Sequence, residues 1–151
     1  MADIKLKGGS WKTAIDKDAV LTNGSRAAGD VANASDLHVL CDAYLTVQYD
    51  TGPPTAGASI AELYVLRGNG EVSQVWPVGG DGTVGNDVDP QATTLVGIFE
   101  SRQPSLTVNE ILIIEDIPLG IGTDRFVVKN ISGNTFDQTW QLDIKTKLAQ
   151  N

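Results

Sequence analysis

The chain carries one histidine, His38, and one cysteine, Cys41, and these are the first residues to weigh for nucleophilic chemistry. A thiol nucleophile needs a base within hydrogen-bond reach. The two residues stand three apart in a stretch that alternates like a strand, and an odd separation puts their side chains on opposite faces. That spacing excludes a local Cys-His dyad and leaves His38 as a sheet-face residue and Cys41 as a core filler. A serine or threonine brought to His38 from elsewhere stays open, although no G-x-S-x-G elbow supplies one.

Metal sites fare no better. Zinc asks for about four Cys, His or carboxylate ligands, more than one His and one Cys provide. Gly79-Gly80-Asp81-Gly82-Thr83 begins like a calcium-binding glycine-rich nonapeptide, but Val84 stands where an aspartate is required and no second copy follows. An ordinary turn is the expectation, with a lone hard cation on Asp81, Asp87 or Asp89 as the open alternative. Glu115-Asp116 and the pair Asp16 and Asp18 resemble catalytic carboxylates only in composition, since glycosidic chemistry needs two such groups across a cleft. No phosphate-cradling glycine loop with a following lysine occurs. The expectation is therefore no enzyme, no cofactor, no resident metal and no catalytic residue.

What remains is binding. Trp11 lies on a Gly-flanked, otherwise polar segment, and Trp76 ends a strand-like run beside Pro77. Large aromatics in such places serve as contact anchors, for proteins or for sugars. The loop Val78 to Pro90 is glycine-rich and acidic, and loops of that length in compact domains are commonly functional. The candidate protein-contact residues are Trp11, Trp76, Asp81, Asp87 and Asp89.

Strands must position them. From Leu37 to Tyr49 every odd position is apolar or aromatic, a period of two that signals a half-buried strand. Thirteen residues would span about 43 Å, so a bend or bulge is expected within it. Trp140, Leu142, Ile144 and Leu148 alternate with Gln141, Asp143, Lys145 and Lys147 in a second such strand. Between them, Ile60 to Leu66, Val72 to Trp76, Thr93 to Glu100, Glu110 to Ile114 and Arg125 to Ile131 are short β-rich runs, and another is expected near Asp18 to Thr22. Asn23-Gly24, Gly52-Pro53-Pro54, Gly68-Asn69-Gly70 and Ser132-Gly133-Asn134 have the chemistry of turns. The pattern predicts an all-β fold, an antiparallel β-sandwich of jelly-roll type, with an N-terminal arm at 1–14 and a single sandwich domain at 15–151.

Bulk composition agrees. A chain of 151 residues with 41% hydrophobic residues can bury one core. A net charge of −8 opposes binding to nucleic acid or anionic membranes. No apolar run approaches the length of a spanning helix, and Met1 to Lys12 lacks the apolar core of a secretory signal, so a cytoplasmic origin is expected. A single cysteine excludes an intrachain disulfide.

A set of segments then suggests a family. Ala61-Glu62-Leu63-Tyr64-Val65-Leu66-Arg67, Leu95-Val96-Gly97-Ile98-Phe99-Glu100-Ser101-Arg102, Ile117-Pro118-Leu119-Gly120, Arg125 to Gly133 and Leu142-Asp143-Ile144-Lys145 resemble, in this order, tailed-bacteriophage virion proteins. The resemblance covers about the last 90 residues and departs in the Val78 to Pro90 loop and the N-terminal arm. It implies a jelly-roll capsid decoration or cement protein on the virion surface. Its partners would be the major capsid protein and further copies of itself, most simply a homotrimer at a local three-fold axis. A tail, neck or fibre-associated protein and a carbohydrate-binding module are the alternatives.

Overall fold

The computed structural model describes residues 5–16, 19–32, 38–69 and 94–150. Trp76, Asp81, Asp87 and Asp89, the run Val72 to Trp76 and the loop Val78 to Pro90 lie outside the described residues.

Eight strands and no α-helix occur among the described residues. They are β1 (Lys5–Ile15), β2 (Arg26–Ala32), β3 (His38–Val47), β4 (Ser59–Leu66), β5 (Leu95–Glu100), β6 (Glu110–Pro118), β7 (Thr123–Asn130) and β8 (Gln141–Gln150). One antiparallel sheet has the order β1-β8-β3-β6 and the other β2-β7-β4-β5. The pairs β1 with β8, β2 with β7, β3 with β6 and β4 with β5 nest inside one another, as when a long hairpin is rolled into two facing sheets. This is a jelly roll, the sandwich expected from the sequence.

The roll closes because the alternating strands hide one face each. Cys41, Ala43, Leu45 and Val47 of β3 and Leu142 and Ile144 of β8 are fully buried against Ala61, Leu63 and Val65 of β4 and Phe126 and Val128 of β7. Each large side chain taken out of water here contributes on the order of 1.5–3 kcal/mol. Tyr49, Phe136 and Trp140 close one end of the sandwich, with Tyr49 and Phe136 edge-to-face at 5.8 Å. The indole Nε1 of Trp140 donates to the Ala19 carbonyl at 2.9 Å, so this ring is buried without losing its polar partner.

The long β3 segment does bend. Its register shifts between His38 and Leu40 against β8, and between Cys41 and Ala43 against β6. The first shift takes Val39, expected on the core face, out to 40% exposure. The strand expected near Asp18 to Thr22 shrinks, among the described residues, to one bridge between Leu21 and Phe136. Lys5–Ile15, most of the segment expected as an arm, is β1 and runs antiparallel along β8. β2 has little β-propensity in its Ala-Ala-Gly-Asp centre. It is placed by its neighbours: a Cβ on Gly29 would lie 1.6 Å from the Ala14 carbonyl oxygen, so only glycine lets β2 approach β1 along this edge of the sandwich.

Asn130, fully buried, ties the turn at the end of β7. Its amide Nδ2 donates to the carbonyls of Leu21 and Asn134, both at 2.7 Å, and its Oδ1 accepts from the Ser132 amide and hydroxyl. Gly133 takes a φ of 81° in the same turn, a conformation open to glycine. Asn130→Ala removes these four hydrogen bonds and takes the acceptor from the Ser132 amide, while the Leu21 carbonyl keeps the Phe136 amide and the Asn134 carbonyl keeps the Ser132 hydroxyl. It is expected to lower the free energy of unfolding by about 3 kcal/mol in urea titration, with no change of strand content by circular dichroism.

Candidate interaction face

The outer side of the β1-β8-β3-β6 sheet brings together residues from all four strands. The register sets Thr46 beside Gln141 and Ile111, Tyr44 beside Asp143 and Ile113, and Lys145 between Trp11 and Asp42. A diagonal of Trp11, Tyr44, Ile113 and Ile111 therefore crosses the sheet from one edge to the other. Trp11 packs on Tyr44 with ring centroids 4.6 Å apart, yet remains 56% exposed; Ile113 and Ile111 are 50% and 63% exposed.

Three of the polar groups on this face pair with one another. The Thr13 hydroxyl and the Gln141 amide both donate to Oδ1 of Asp143, at 3.0 and 2.7 Å. The Lys145 ammonium sits 5.5 Å from the centroid of the Trp11 ring, where it occupies one approach to the indole. A partner covering the apolar diagonal thus has few hydrogen bonds to replace, which suits a protein surface. The outer side of the other sheet differs: Tyr64, Leu66 and Val127 are already buried there, and Arg125 holds Asp30 through two bonds of 2.6 and 2.9 Å.

A groove of about 500 Å³ runs along the sandwich edge between β5 and β6, with Ile98, Phe99, Arg102, Ile111 and Ile113 among its walls. Its one acidic lining residue is Glu100. Glu110 nearby is engaged: Oε1 accepts the Ser101 hydroxyl at 2.5 Å, and Oε2 accepts the amides of Arg102 and Gln103, each at 3.0 Å. That carboxylate fixes the turn leading into β6.

The candidate chemical groups have structural surroundings. Cys41 is fully buried, and burial pushes its thiol up to about 12, so at neutral pH it is not a thiolate. The side chain of His38 lies outside the described residues. Asp116 and Asp42 both grip the Lys147 ammonium at 2.7 Å, and these contacts hold its proton more firmly than in a free lysine. Asp116 has a φ of 57°, and its amide donates to Oδ1 of Asp42 at 3.0 Å, which anchors the β3–β6 register shift. No group of three or more His, Cys, Asp or Glu side chains among the described residues is arranged to hold a metal ion.

Of the five contact residues expected from the sequence, Trp11 lies on the exposed diagonal; Trp76, Asp81, Asp87 and Asp89 lie outside the described residues. Tyr44, Ile111 and Ile113 were not expected there. Ile111 to Ile114 is an unbroken aliphatic run, and such a run does not show which side faces water.

Asp124 is buried, and its Oδ1 accepts the amides of Gly68 and Gly120 at 3.0 and 2.9 Å. Burial raises its pKa above the ordinary aspartate value despite these bonds. The folded state then binds the proton more tightly than the unfolded chain, so this group costs stability as pH rises through its raised value and costs nothing in acid. Asp124→Asn keeps an oxygen acceptor. Its stability relative to the parent, measured by urea unfolding, is expected to rise as pH is raised from below the ordinary aspartate range towards neutrality; a parent that gains on the variant over that interval contradicts the assignment.

No protein-family model, curated protein or solved structure matches the chain, so its jelly roll and its apolar diagonal stand on their own geometry.

Proposed function

We propose that this chain is a structural, protein-binding jelly-roll module, and that its place is on the outer surface of a tailed-phage capsid as a decoration or cement protein. The observation that carries the binding role is the exposed diagonal of Trp11, Tyr44, Ile113 and Ile111 on a sheet face where Thr13, Gln141 and Asp143 already pair with one another. An apolar band of this kind on a folded domain marks a contact surface. The virion reading is supported by the resemblance of segments that fall in β4, β5, the end of β6, β7 and β8.

The mechanism is additive. Each copy contributes a modest apolar contact to the capsid lattice, and a symmetric oligomer makes several at once, so that later contacts form at high effective concentration. The net charge of −8 keeps the protein away from packaged DNA. The major capsid protein is the partner in this reading, and no cofactor takes part.

Counting copies of the chain in purified particles tests it. Hundreds per particle are expected; a dozen or fewer moves the protein to the tail or neck, and absence removes it from the virion. Heads lacking the protein should regain heat resistance when it is added back. Trp11→Ala is expected to bind such heads at least about tenfold more weakly, the effect of truncating an aromatic anchor. Its stability in urea should fall by only about 1 kcal/mol, because the ring packs chiefly on Tyr44.

A further inference from the structure

We propose that the chain pairs with a second copy of itself along β6, so that two β1-β8-β3-β6 sheets continue into one another across a two-fold axis near Leu112.

Among the described residues the edges of the two sheets are β1, β6, β2 and β5, and an unpaired edge invites another strand unless something disrupts it. Three of them carry such disruptions. β1 contains Lys5, Lys7, Lys12 and the Gly8-Gly9 pair and shifts register twice against β8. β2 has Arg26, Gly29 and Asp30, and Gly29 abuts the backbone of Ala14. β5 has six residues, one of them Gly97, and two register shifts against β4. β6 alone has none in its first half: from Glu110 to Ile114 it keeps unbroken register with Val47 to Ala43, and its centre reads Ile111-Leu112-Ile113-Ile114 without a charge. The groove of about 500 Å³ along its flank leaves room for a neighbour.

Charge and shape select the occupant and its register. In an antiparallel pairing centred on Leu112, Ile111 stands opposite Ile113 of the second copy and Ile113 opposite its Ile111, all four on the same outer face. Glu110 then faces an isoleucine, Glu115 faces Asn109 and Asp116 faces Val108, so no acid meets an acid. Moving the pairing by one residue towards the C-terminus sets Glu110 against Glu115 and turns Leu112, a core residue, towards an outward Ile113. Moving it by two sets Glu110 against Asp116 and Ile111 against Glu115. Moving it by two the other way leaves Ile113 facing Asn109. Like charges directly opposite on paired strands are destabilising, while β-branched cross-strand pairs contribute. The sequence of β6 is thus complementary to itself in one register, which is the requirement for a two-fold interface. The symmetry differs from the three-fold expected from the resemblance, and the pairing does not depend on the capsid reading: it can hold in a protein that never joins a particle, and the particle count does not bear on it.

The test uses the full chain in solution. Sedimentation across a concentration series is expected to show a monomer-dimer equilibrium, and Ile113→Lys to weaken it by about a hundredfold or more by placing a charge in the paired apolar row. Ile113 is half exposed, so the circular dichroism spectrum of the variant should match the parent. A second readout fixes the register without a disruptive charge. Ile111→Cys and Ile113→Cys, mixed and gently oxidised, should form a disulfide-linked heterodimer, while either alone links far more slowly; Cys41 is buried and does not compete. A protein that stays monomeric throughout, a trimer, a dimer indifferent to Ile113→Lys, or linkage by a single variant as fast as by the mixture overturns the proposal.

Discussion

The molecule depends on the burial of two alternating strands, β3 and β8, at the centre of one sheet against β4 and β7 at the centre of the other. Their inward side chains are fully excluded from water, and the outer strands add to a core that these four already define. Because β3 and β8 are hydrogen-bonded on both sides, their outward residues are held in fixed rows. The exposed diagonal is a product of that constraint. Trp11 and Ile113 come from strands far apart in sequence, yet they share a face because β8 and β3 set the register between them.

The sequence showed the central strands clearly and the edges poorly. β3 and β8 alternate over most of their length, with Leu40 and Tyr44 as exceptions in β3, and the period of two holds except where the register shift turns Val39 outward. β1 lies in the segment expected as an arm and β2 in one with no strand signal, and they become strands because β8 and β7 offer them backbone partners. That is tertiary context overriding local preference. β6 extends to Pro118, beyond the expected Ile114, because the register shift at Asp116 lets the strand resume with Ile117 buried in the core. The turns at Gly24 and Gly133 were readable since each places glycine at a positive φ.

The binding face was half legible. Trp11 stood out as a large ring in a polar segment, and it is exposed. Ile111 and Ile113 did not, since an aliphatic run looks the same whether one side or both are buried; only their register with Thr46 and Tyr44 on the outer side of the sheet shows that these two face water. Asp116, one of the carboxylates that resembled a catalytic pair in composition, has structural work in the fold, where it shares the Lys147 ammonium with Asp42.

The pairing of β1 with β8 sets a condition on how the molecule is made. Ser10 and Thr146 bond at a separation of 136 positions, so the first strand cannot find its neighbour until β8 has left the ribosome. Contacts of such separation are slow to form and costly in loop entropy. During synthesis the emerging β3 and β6 can already pair, while their uncovered apolar sides wait for β8. The nascent protein is therefore sticky until β8 emerges, and its yield in a cell should depend on chaperones that shield that half-built sheet.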